Sequence, residues 1–150
     1  MKLRWGALVF VLVASALMPR VLMAQGTQNP APTRKSGVLK QNYPNPFNPE
    51  TRIPFTVGDE NCEDPGRQHK VSLRIYNILS QLVAIPVLQG GTGGVAGGVR
   101  LANVMLTCGD YVAYWNGKYD GTKKEAASGV YLYELRIDAT SIVKRMLITK

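Results

Sequence analysis

Apolar and polar residues alternate with a period of two from Val38 onward, and this constrains the fold more than any other feature of the 150-residue chain. Side chains of a β-strand point in turn to opposite faces of a sheet, so a strand buried on one face shows this alternation. Three sets are clear: Ile53, Phe55 and Val57; Val71, Leu73 and Ile75; and Tyr131, Tyr133, Leu135 and Ile137. Each set predicts the buried face of one strand.

Further candidate strands show a similar pattern and are separated by turn-forming residues. They cover residues 82–88, 99–106, 111–116 and 142–149, with Asn116-Gly117 and Asp120-Gly121 among the turns. The sequence lacks convincing helical periodicity, so the crossover helices that a parallel sheet needs are not predicted. About seven short strands joined by turns therefore predict an all-β fold, an Ig-like antiparallel β-sandwich over residues 38–150.

Residues 1–24 have the three parts of a secretory signal peptide. Lys2 and Arg4 form a cationic start, residues 6–18 are apolar, and Ala24 places a small residue at the expected cleavage site. Pro19-Arg20 interrupts the apolar run short of the roughly 20 residues needed to span a bilayer, which argues against the alternative of a transmembrane anchor. We therefore expect a secreted protein without a transmembrane helix after cleavage.

The segment that follows the signal peptide, residues 25–37, contains two prolines, two glycines and almost no large apolar side chain. Such a composition predicts a short disordered linker, because it cannot bury enough surface to order itself. Cleavage near Ala14-Ser15-Ala16 is an alternative to cleavage after Ala24. In either case we expect no cargo domain between the signal peptide and the sandwich.

Cys62 and Cys108 are the two cysteines of the chain. An even number of cysteines in an exported domain favours a disulfide, because the extracellular environment is oxidising. A structural zinc site is not expected, since the cysteines and the single histidine, His69, match no zinc-ligand spacing. The sequence therefore predicts a Cys62–Cys108 bond.

The formal net charge is +8, but Lys2, Arg4 and Arg20 lie in the predicted signal peptide, which we expect to be removed. The other cations are spread along the chain and form no block of the kind that tracks phosphate groups. We therefore expect no binding to nucleic acid.

Catalytic and cofactor motifs are missing from the sequence, so we expect no enzyme, no metal and no cofactor. The acidic groups at Glu60, Glu63 and Asp64 and at Asp120 and Glu125 have no calcium-loop spacing. Gly91, Gly93 and Ala96 loosely match a dinucleotide-binding fingerprint within the glycine-rich residues 90–98. The strand that is expected next argues instead for a flexible hairpin loop, because the fingerprint requires a following helix.

Four aromatic residues are expected as core anchors. Three prolines in residues 41–49 predict a stiff, extended lead-in segment whose Tyr43 and Phe47 plug the end of the sandwich. Phe55 lies on a predicted buried face, and Trp115 alternates with Tyr111 and Ala113. An exposed, ligand-binding aromatic is the alternative interpretation of Trp115.

Four blocks in order closely resemble the C-terminal (type A) sorting domain of type IX secretion cargo, a family similar to the Ig-like domain of the flagellar hook-capping protein. The blocks are LKQNYPNPFNPETRIPF (39–55), VSLRIYNILSQLV (71–83), GDYVAYWNG (109–117) and SGVYLYELRIDATSIVKRMLITK (128–150). The resemblance covers residues 38–150. The chain departs from the family pattern at three places. Ser80 stands where the family has a turn glycine, Cys108 stands before Gly109, and residues 90–106 resemble an insertion.

The resemblance implies a non-catalytic domain that directs export across the outer membrane to the cell surface. It further implies passage through the periplasm, recognition by outer-membrane export machinery, removal by a surface protease, and attachment to anionic lipopolysaccharide or release into the medium. A stand-alone structural or adhesive Ig-like module of an extracellular assembly is the alternative function.

The final hairpin is the expected sorting motif. Its residues are Gly129, Val130, Tyr131, Lys144, Arg145, Met146 and Lys150. The last strand of the chain is expected at a sheet edge, where unpaired backbone groups and a basic end meet a receptor. Protection of that edge from aggregation is the alternative role of the basic residues.

Overall fold

The computed structural model describes residues 36–59, 62, 64–91 and 97–150, so the predicted signal peptide and nearly all of the predicted linker lie outside the described residues. The described residues form nine strands. These are β1 (Gly37–Leu39), β2 (Thr51–Val57), β3 (Gln68–Tyr76), β4 (Leu82–Ala84), β5 (Val87–Gly91), β6 (Val104–Thr107), β7 (Gly109–Trp115), β8 (Gly129–Ile137) and β9 (Thr140–Ile148).

All pairs of neighbouring strands are antiparallel, and they form two sheets. The first sheet has the order β1-β2-β7-β5, and the second has the order β4-β3-β8-β9, with β6 also paired to β3. One side of β3 pairs with β8. The strands β4 and β6 therefore share the other side of β3. The predicted all-β antiparallel sandwich is therefore confirmed.

The core lies between the two sheets and is built from the alternating apolar positions. Leu73 on β3, Phe55 on β2 and Leu135 on β8 are fully buried. On the neighbouring strands β2 and β7 of the first sheet, the rings of Phe55 and Tyr111 stack 5.6 Å apart. The apolar residues that the period-two pattern places on the buried faces of the strands therefore form the core.

The strand number differs from the expected seven because one predicted strand is divided between the sheets. Residues 82–88 form β4 in the second sheet and β5 in the first, with Ile85-Pro86 as the crossing point. Proline has no amide hydrogen for a ladder, so a sheet strand ends readily there. The predicted strand at 99–106 is shorter and later, as β6, and the three-residue β1 was not predicted.

Candidate functional site

The terminal hairpin consists of β8 and β9, which pair in unbroken register from Gly129↔Ile148 to Ile137↔Thr140. The turn between them includes Asp138 at a positive φ of 52°. The Asp138 carboxylate accepts a hydrogen bond from the Lys70 amide at 2.9 Å and lies 2.7 Å from Nδ1 of His69. The turn is therefore fastened to β3, which holds the hairpin in the second sheet.

Electrostatics at this turn favour the charged form of Asp138. Burial raises the pKa of the Asp138 carboxyl, but the hydrogen bonds from His69 and Lys70 outweigh it, so the pKa is lowered overall. The single histidine of the chain is thus a partner of a turn carboxylate.

The predicted sorting-motif residues divide between surface and core. Val130, Arg145 and Lys150 are exposed and Gly129 and Lys144 half-buried, whereas Tyr131 and Met146 are buried. The division follows from the alternation of side chains along each strand. A receptor that binds the folded hairpin can therefore contact only the outward-facing residues of the predicted motif.

The basic end of the chain has a partner. Nζ of Lys150 lies 2.8 Å from Oε2 of Glu125, and the Lys150 amide donates to Oγ of Ser128 at 3.1 Å. The hydrogen bond from Lys150 lowers the pKa of the Glu125 carboxyl. The Lys150 side chain is therefore only partly available to a receptor.

The outer edge of β9 is partly covered by the lead-in segment, residues 41–49. The Phe47 amide donates to the Leu147 carbonyl at 3.0 Å, the Thr149 amide donates to the Phe47 carbonyl at 3.1 Å, and Leu147 donates to Oδ1 of Asn45 at 2.9 Å. Nε2 of Gln41 donates to the Arg145 carbonyl at 3.1 Å. The strand does lie at the edge of its sheet, but the expectation of an unpaired edge was wrong for its second half.

The lead-in segment is held by a buried polar cluster that the sequence interpretation missed. Asn42 and Thr51 are 2% and 1% exposed, and Nδ2 of Asn42 donates to Oγ1 of Thr51 at 3.0 Å. The Asn42 amide donates to the Tyr133 hydroxyl at 3.2 Å, and that hydroxyl donates to the Lys40 carbonyl at 3.0 Å. Burial raises the pKa of the Tyr133 phenol, and the Asn42 amide partly opposes this.

Tyr43 is not a core anchor, and that prediction was wrong. Its side chain is 49% exposed, although its backbone pairs with Arg52 through two hydrogen bonds of 2.8 and 2.9 Å. Neighbouring residues of an extended segment point to opposite sides, and Asn42 takes the inward position. The sequence does hint at the role of Asn42, because asparagine side chains beside turns often form hydrogen bonds with the nearby backbone.

The other three expected anchors lie in the core. Phe47, Phe55 and Trp115 are 1%, 0% and 3% exposed. The ring of Trp115 packs against Phe47 at 5.6 Å and against Tyr131 at 5.8 Å, and its Nε1 donates to the Lys118 carbonyl at 2.9 Å. The structure thus places Trp115 inside the sandwich and not on a ligand-binding surface.

Cys62 and Cys108 form the predicted disulfide, with Cα atoms 5.9 Å apart. The bond ties Cys62, which follows β2 in the chain, to the residue between β6 and β7. Gly58 lies against it with a φ of +89°, and a Cβ at this position would approach Sγ of Cys108 to 2.4 Å. Only glycine therefore fits beside the disulfide without a shift of the chain.

Potential chemical sites in the described part of the chain are engaged in structural contacts. Asp120 binds the Arg100 side chain and the Ile85 amide. Asp64 accepts a hydrogen bond from the Gly66 amide. Glu60, Glu63, Gly93 and Ala96 lie outside the described residues, and after β5 the next described element is β6. The described residues include no group of three or more His, Cys, Asp or Glu side chains that could hold a metal.

A hollow of about 140 Å³ lies beside Trp115, Arg100 and Asp120. Ligand pockets usually have about 300–1,000 Å³, so this hollow is too small for a typical small-molecule ligand. No described element is a helix of membrane-spanning length and apolarity.

Comparisons with known proteins return no relative: no family model, no curated protein and no solved structure matches the chain. We therefore interpret the terminal hairpin and the lead-in segment from their own contacts and from the resemblance of the four sequence blocks.

Proposed function

We propose that the chain is a non-catalytic sorting domain that directs export across the outer membrane to the cell surface by a type IX-like system. Its partners are outer-membrane export machinery and a surface protease, with anionic lipopolysaccharide as a surface to which it attaches. One observation carries the proposal. Blocks of the sequence resemblance that are far apart in the chain meet in space, because Phe47 contacts Trp115 and also bridges to Ile148.

The hairpin supports this function as a folded surface. Arg145 on β9 and Val130 on β8 face solvent, while Met146 and Ile148 anchor β9 in the core. A receptor would then recognise the outward residues, and the inward residues would hold them in place. Removal of the whole segment 144–150 would also remove core contacts, so point substitutions are the sharper test.

The experiment inserts a fluorescent reporter between residues 28 and 29 of the full chain, in a host with type IX machinery. The unaltered fusion should reach the cell surface and become accessible to added protease. Lys144→Glu with Arg145→Glu should lower surface display by about tenfold, because opposite charge at a recognition surface slows and weakens binding. Lys123→Glu with Lys124→Glu makes the same change of charge on an exposed turn and is the matched control.

Retention of the unaltered fusion in the periplasm would contradict the proposed function. Equal loss of display in the two charge-reversed variants would show that the hairpin has no special role. Circular dichroism of each purified variant establishes that the fold is intact.

The alternative, a structural module that assembles by strand pairing, would depend on edges that remain open. Among the described residues, no backbone hydrogen bond covers the outer edge of residues 140–144 of β9, whereas β5 is flanked by residues 98 and 99 through two hydrogen bonds of 2.7 Å to Leu88. Sedimentation of purified protein distinguishes the two functions, since a sorting domain should remain monomeric at concentrations at which an assembly subunit forms polymers.

A further inference from the structure

A band of exposed apolar side chains crosses the outer face of the second sheet at the end where β8 begins. We define this outer-face stripe as the exposed Ile78, Leu79, Leu82, Val130 and Leu147, together with the half-buried Leu132. In the sheet register, Leu82 pairs with Tyr76, Tyr76 with Leu132, and Val130 with Leu147. The stripe thus includes residues of β4, β8 and β9 and of the turn that follows β3.

The exposure of the stripe is high for such large apolar groups. Ile78 and Leu79 are each 72% exposed, Leu82 is 50%, Val130 is 45% and Leu147 is 37%. Single exposed apolar residues are common on proteins, but a contiguous group of them is typical of an interaction site.

The turn that carries Ile78 and Leu79 is held in one conformation by its own hydrogen bonds. Oδ1 of Asn77 accepts from the amides of Leu79 at 3.0 Å and Gln81 at 2.9 Å. Nδ2 of Asn77 donates to Oε1 of Gln81 at 2.8 Å, and the Ser80 amide donates to the Asn77 carbonyl at 3.0 Å. The two apolar side chains are therefore presented on an ordered turn, which lowers the entropic cost of binding a partner.

Unpaired positive charge lies beside the stripe. Arg145 is directly opposite Leu132, and Arg74 is two residues from Tyr76 on the same face. Five ion pairs are found among the described residues, and their cations are other side chains than Arg74 and Arg145.

The carboxylate nearest to these arginines in the register, Glu134, is already engaged. It accepts hydrogen bonds from Oγ of Ser141, from the Tyr76 hydroxyl at 3.2 Å and from Nη2 of Arg136 at 3.4 Å. The Ser141 hydrogen bond lowers the pKa of Glu134, with burial opposing it, so the group stays charged and satisfied within the sheet. Arg74 and Arg145 are left for an external carboxylate.

We propose that the outer-face stripe binds an acidic, amphipathic segment of a partner protein, whose apolar side chains cover the stripe and whose carboxylates pair with Arg74 and Arg145. The inference rests on the proposed function for the identity of that partner, which is then a component of the export machinery. Charged hydrogen bonds between arginine and carboxylate would fix the orientation of the segment.

Charge and shape decide between this partner and two others. A second copy of the chain placed face to face would bring like charges together around the stripe, which is unfavourable. A membrane surface would be reached by Ile78 and Leu79 on the turn, whereas Leu82, Leu132 and Leu147 lie across a sheet whose strands are about 4.8 Å apart. A polypeptide segment laid across the sheet contacts the whole stripe.

The test uses two synthetic amphipathic peptides that share one leucine face and carry either glutamate or lysine on the other face. Each is titrated into the full chain with labelled methyl groups, and chemical shifts are followed by NMR. The glutamate peptide should bind about tenfold more tightly than the lysine peptide and shift the methyl groups of the stripe. Arg145→Glu should abolish or reverse this preference.

Leu79→Ser should weaken the glutamate peptide about tenfold, because it removes an apolar contact at the most exposed point of the stripe. Met105→Ser is the matched control, since Met105 is a 49% exposed apolar residue of the same sheet that pairs with Lys70 at the far end of β3. Equal affinity for the two peptides, or equal effects of the two variants, would overturn the proposal.

Two further outcomes would assign the stripe to a different partner and so overturn the proposal. One is binding to phosphatidylglycerol vesicles that Leu79→Ser abolishes, without binding of the glutamate peptide. The other is a dimer in sedimentation that Leu79→Ser dissociates.

Reporter export separates this inference from the proposed function. If the unaltered fusion reaches the surface and Leu79→Ser does not, the stripe is the recognition site. If both reach the surface equally, the stripe has no role in export and the inference fails while the proposed function stands. If the unaltered fusion stays inside, the proposed function fails, and the peptide titration still decides whether the stripe binds acidic segments.

Discussion

The edge of β9 and the outer face of the sheet to which it belongs present two contrasting surfaces. Along the second half of the edge, Gln41, Asn45 and Phe47 satisfy the backbone groups that a free strand would expose. On the face, Leu79 and Leu82 remain uncovered although they are apolar. The chain thus closes the second half of an edge that promotes unspecific strand pairing and leaves open the surface on which side chains can discriminate between partners.

The covering segment is itself a poor template for another strand. Pro44, Pro46 and Pro49 have no amide hydrogen, so the segment that protects β9 does not replace it with an equally reactive edge. The Asn42 cluster fixes the segment from the inner side. The covered edge and the exposed face are therefore adjoining parts of the second sheet.

The largest expected effect concerns the closed side. Trp115→Ala should lower the free energy of unfolding by about 3–5 kcal/mol, because it removes a buried ring that packs on Phe47 and Tyr131. Urea unfolding followed by circular dichroism measures the loss. A loss below about 1 kcal/mol would mean that Trp115 is not a core residue.

A second prediction tests whether the two surfaces share one cooperative unit. Replacement of Cys62 and Cys108 by alanine should lower the free energy of unfolding by about 2–4 kcal/mol, because the unfolded chain loses its cross-link. Hydrogen exchange at β9 and at the turn after β3 should accelerate together. Faster exchange confined to the segment near Cys62 would show that the bond stabilises only its own loop.

The strands that face the core were predictable from sequence because burial on one face leaves a period-two pattern. This holds for β2, β3 and β8. The crossing of the chain from one sheet to the other at Ile85-Pro86 leaves no such pattern, since the apolar run continues through it. A strand as short as β1 depends on its pairing with β2 and has no periodicity of its own.

The candidate site was less predictable than the fold. The sequence placed the terminal hairpin at a sheet edge, but its contacts with the lead-in segment depend on a separation of about one hundred residues, as between Asn45 and Leu147. The inward position of Asn42 and the outward position of Tyr43 follow from these contacts. Exposure of Ile78 and Leu79 likewise depends on the Asn77 turn, which apolar composition does not predict.

A third prediction weakens the closed edge without touching the face. Asn42→Ala should cost about 1–3 kcal/mol of stability, because the hydroxyl of Thr51 loses a buried hydrogen-bond donor and the lead-in loses its anchor. Hydrogen exchange of the Leu147 amide should then accelerate, since this amide is covered by Asn45. Tyr43→Ala, at the exposed neighbouring position, is the control and should cost less than about 0.5 kcal/mol.

A fourth prediction uses pH to examine the same edge. Because burial raises the pKa of Tyr133 in the folded protein, its contribution to stability is complete below its unfolded pKa of about 10 and is lost as the pH rises through the folded value. Tyr133→Phe should cost about 0.5–1.5 kcal/mol near neutral pH, through loss of its hydrogen bonds. Above about pH 10 the variant should lose stability less steeply than the parent chain. Parallel curves would contradict the assignment.

The smallest expected effect belongs to the open face. Leu79→Ser should change the free energy of unfolding by less than about 0.5 kcal/mol, because a side chain that is 72% exposed loses little burial when it becomes polar. Leu73→Ala, at a fully buried position of β3, serves as the contrast. It should lower the free energy of unfolding by about 2–5 kcal/mol. The prediction follows from the Asn77 hydrogen bonds, which hold the turn through backbone groups that the substitution leaves intact. Thermal unfolding of both variants measures the difference. A large loss for Leu79→Ser would mean that the stripe stabilises the fold, and the contrast between closed edge and open face would then disappear.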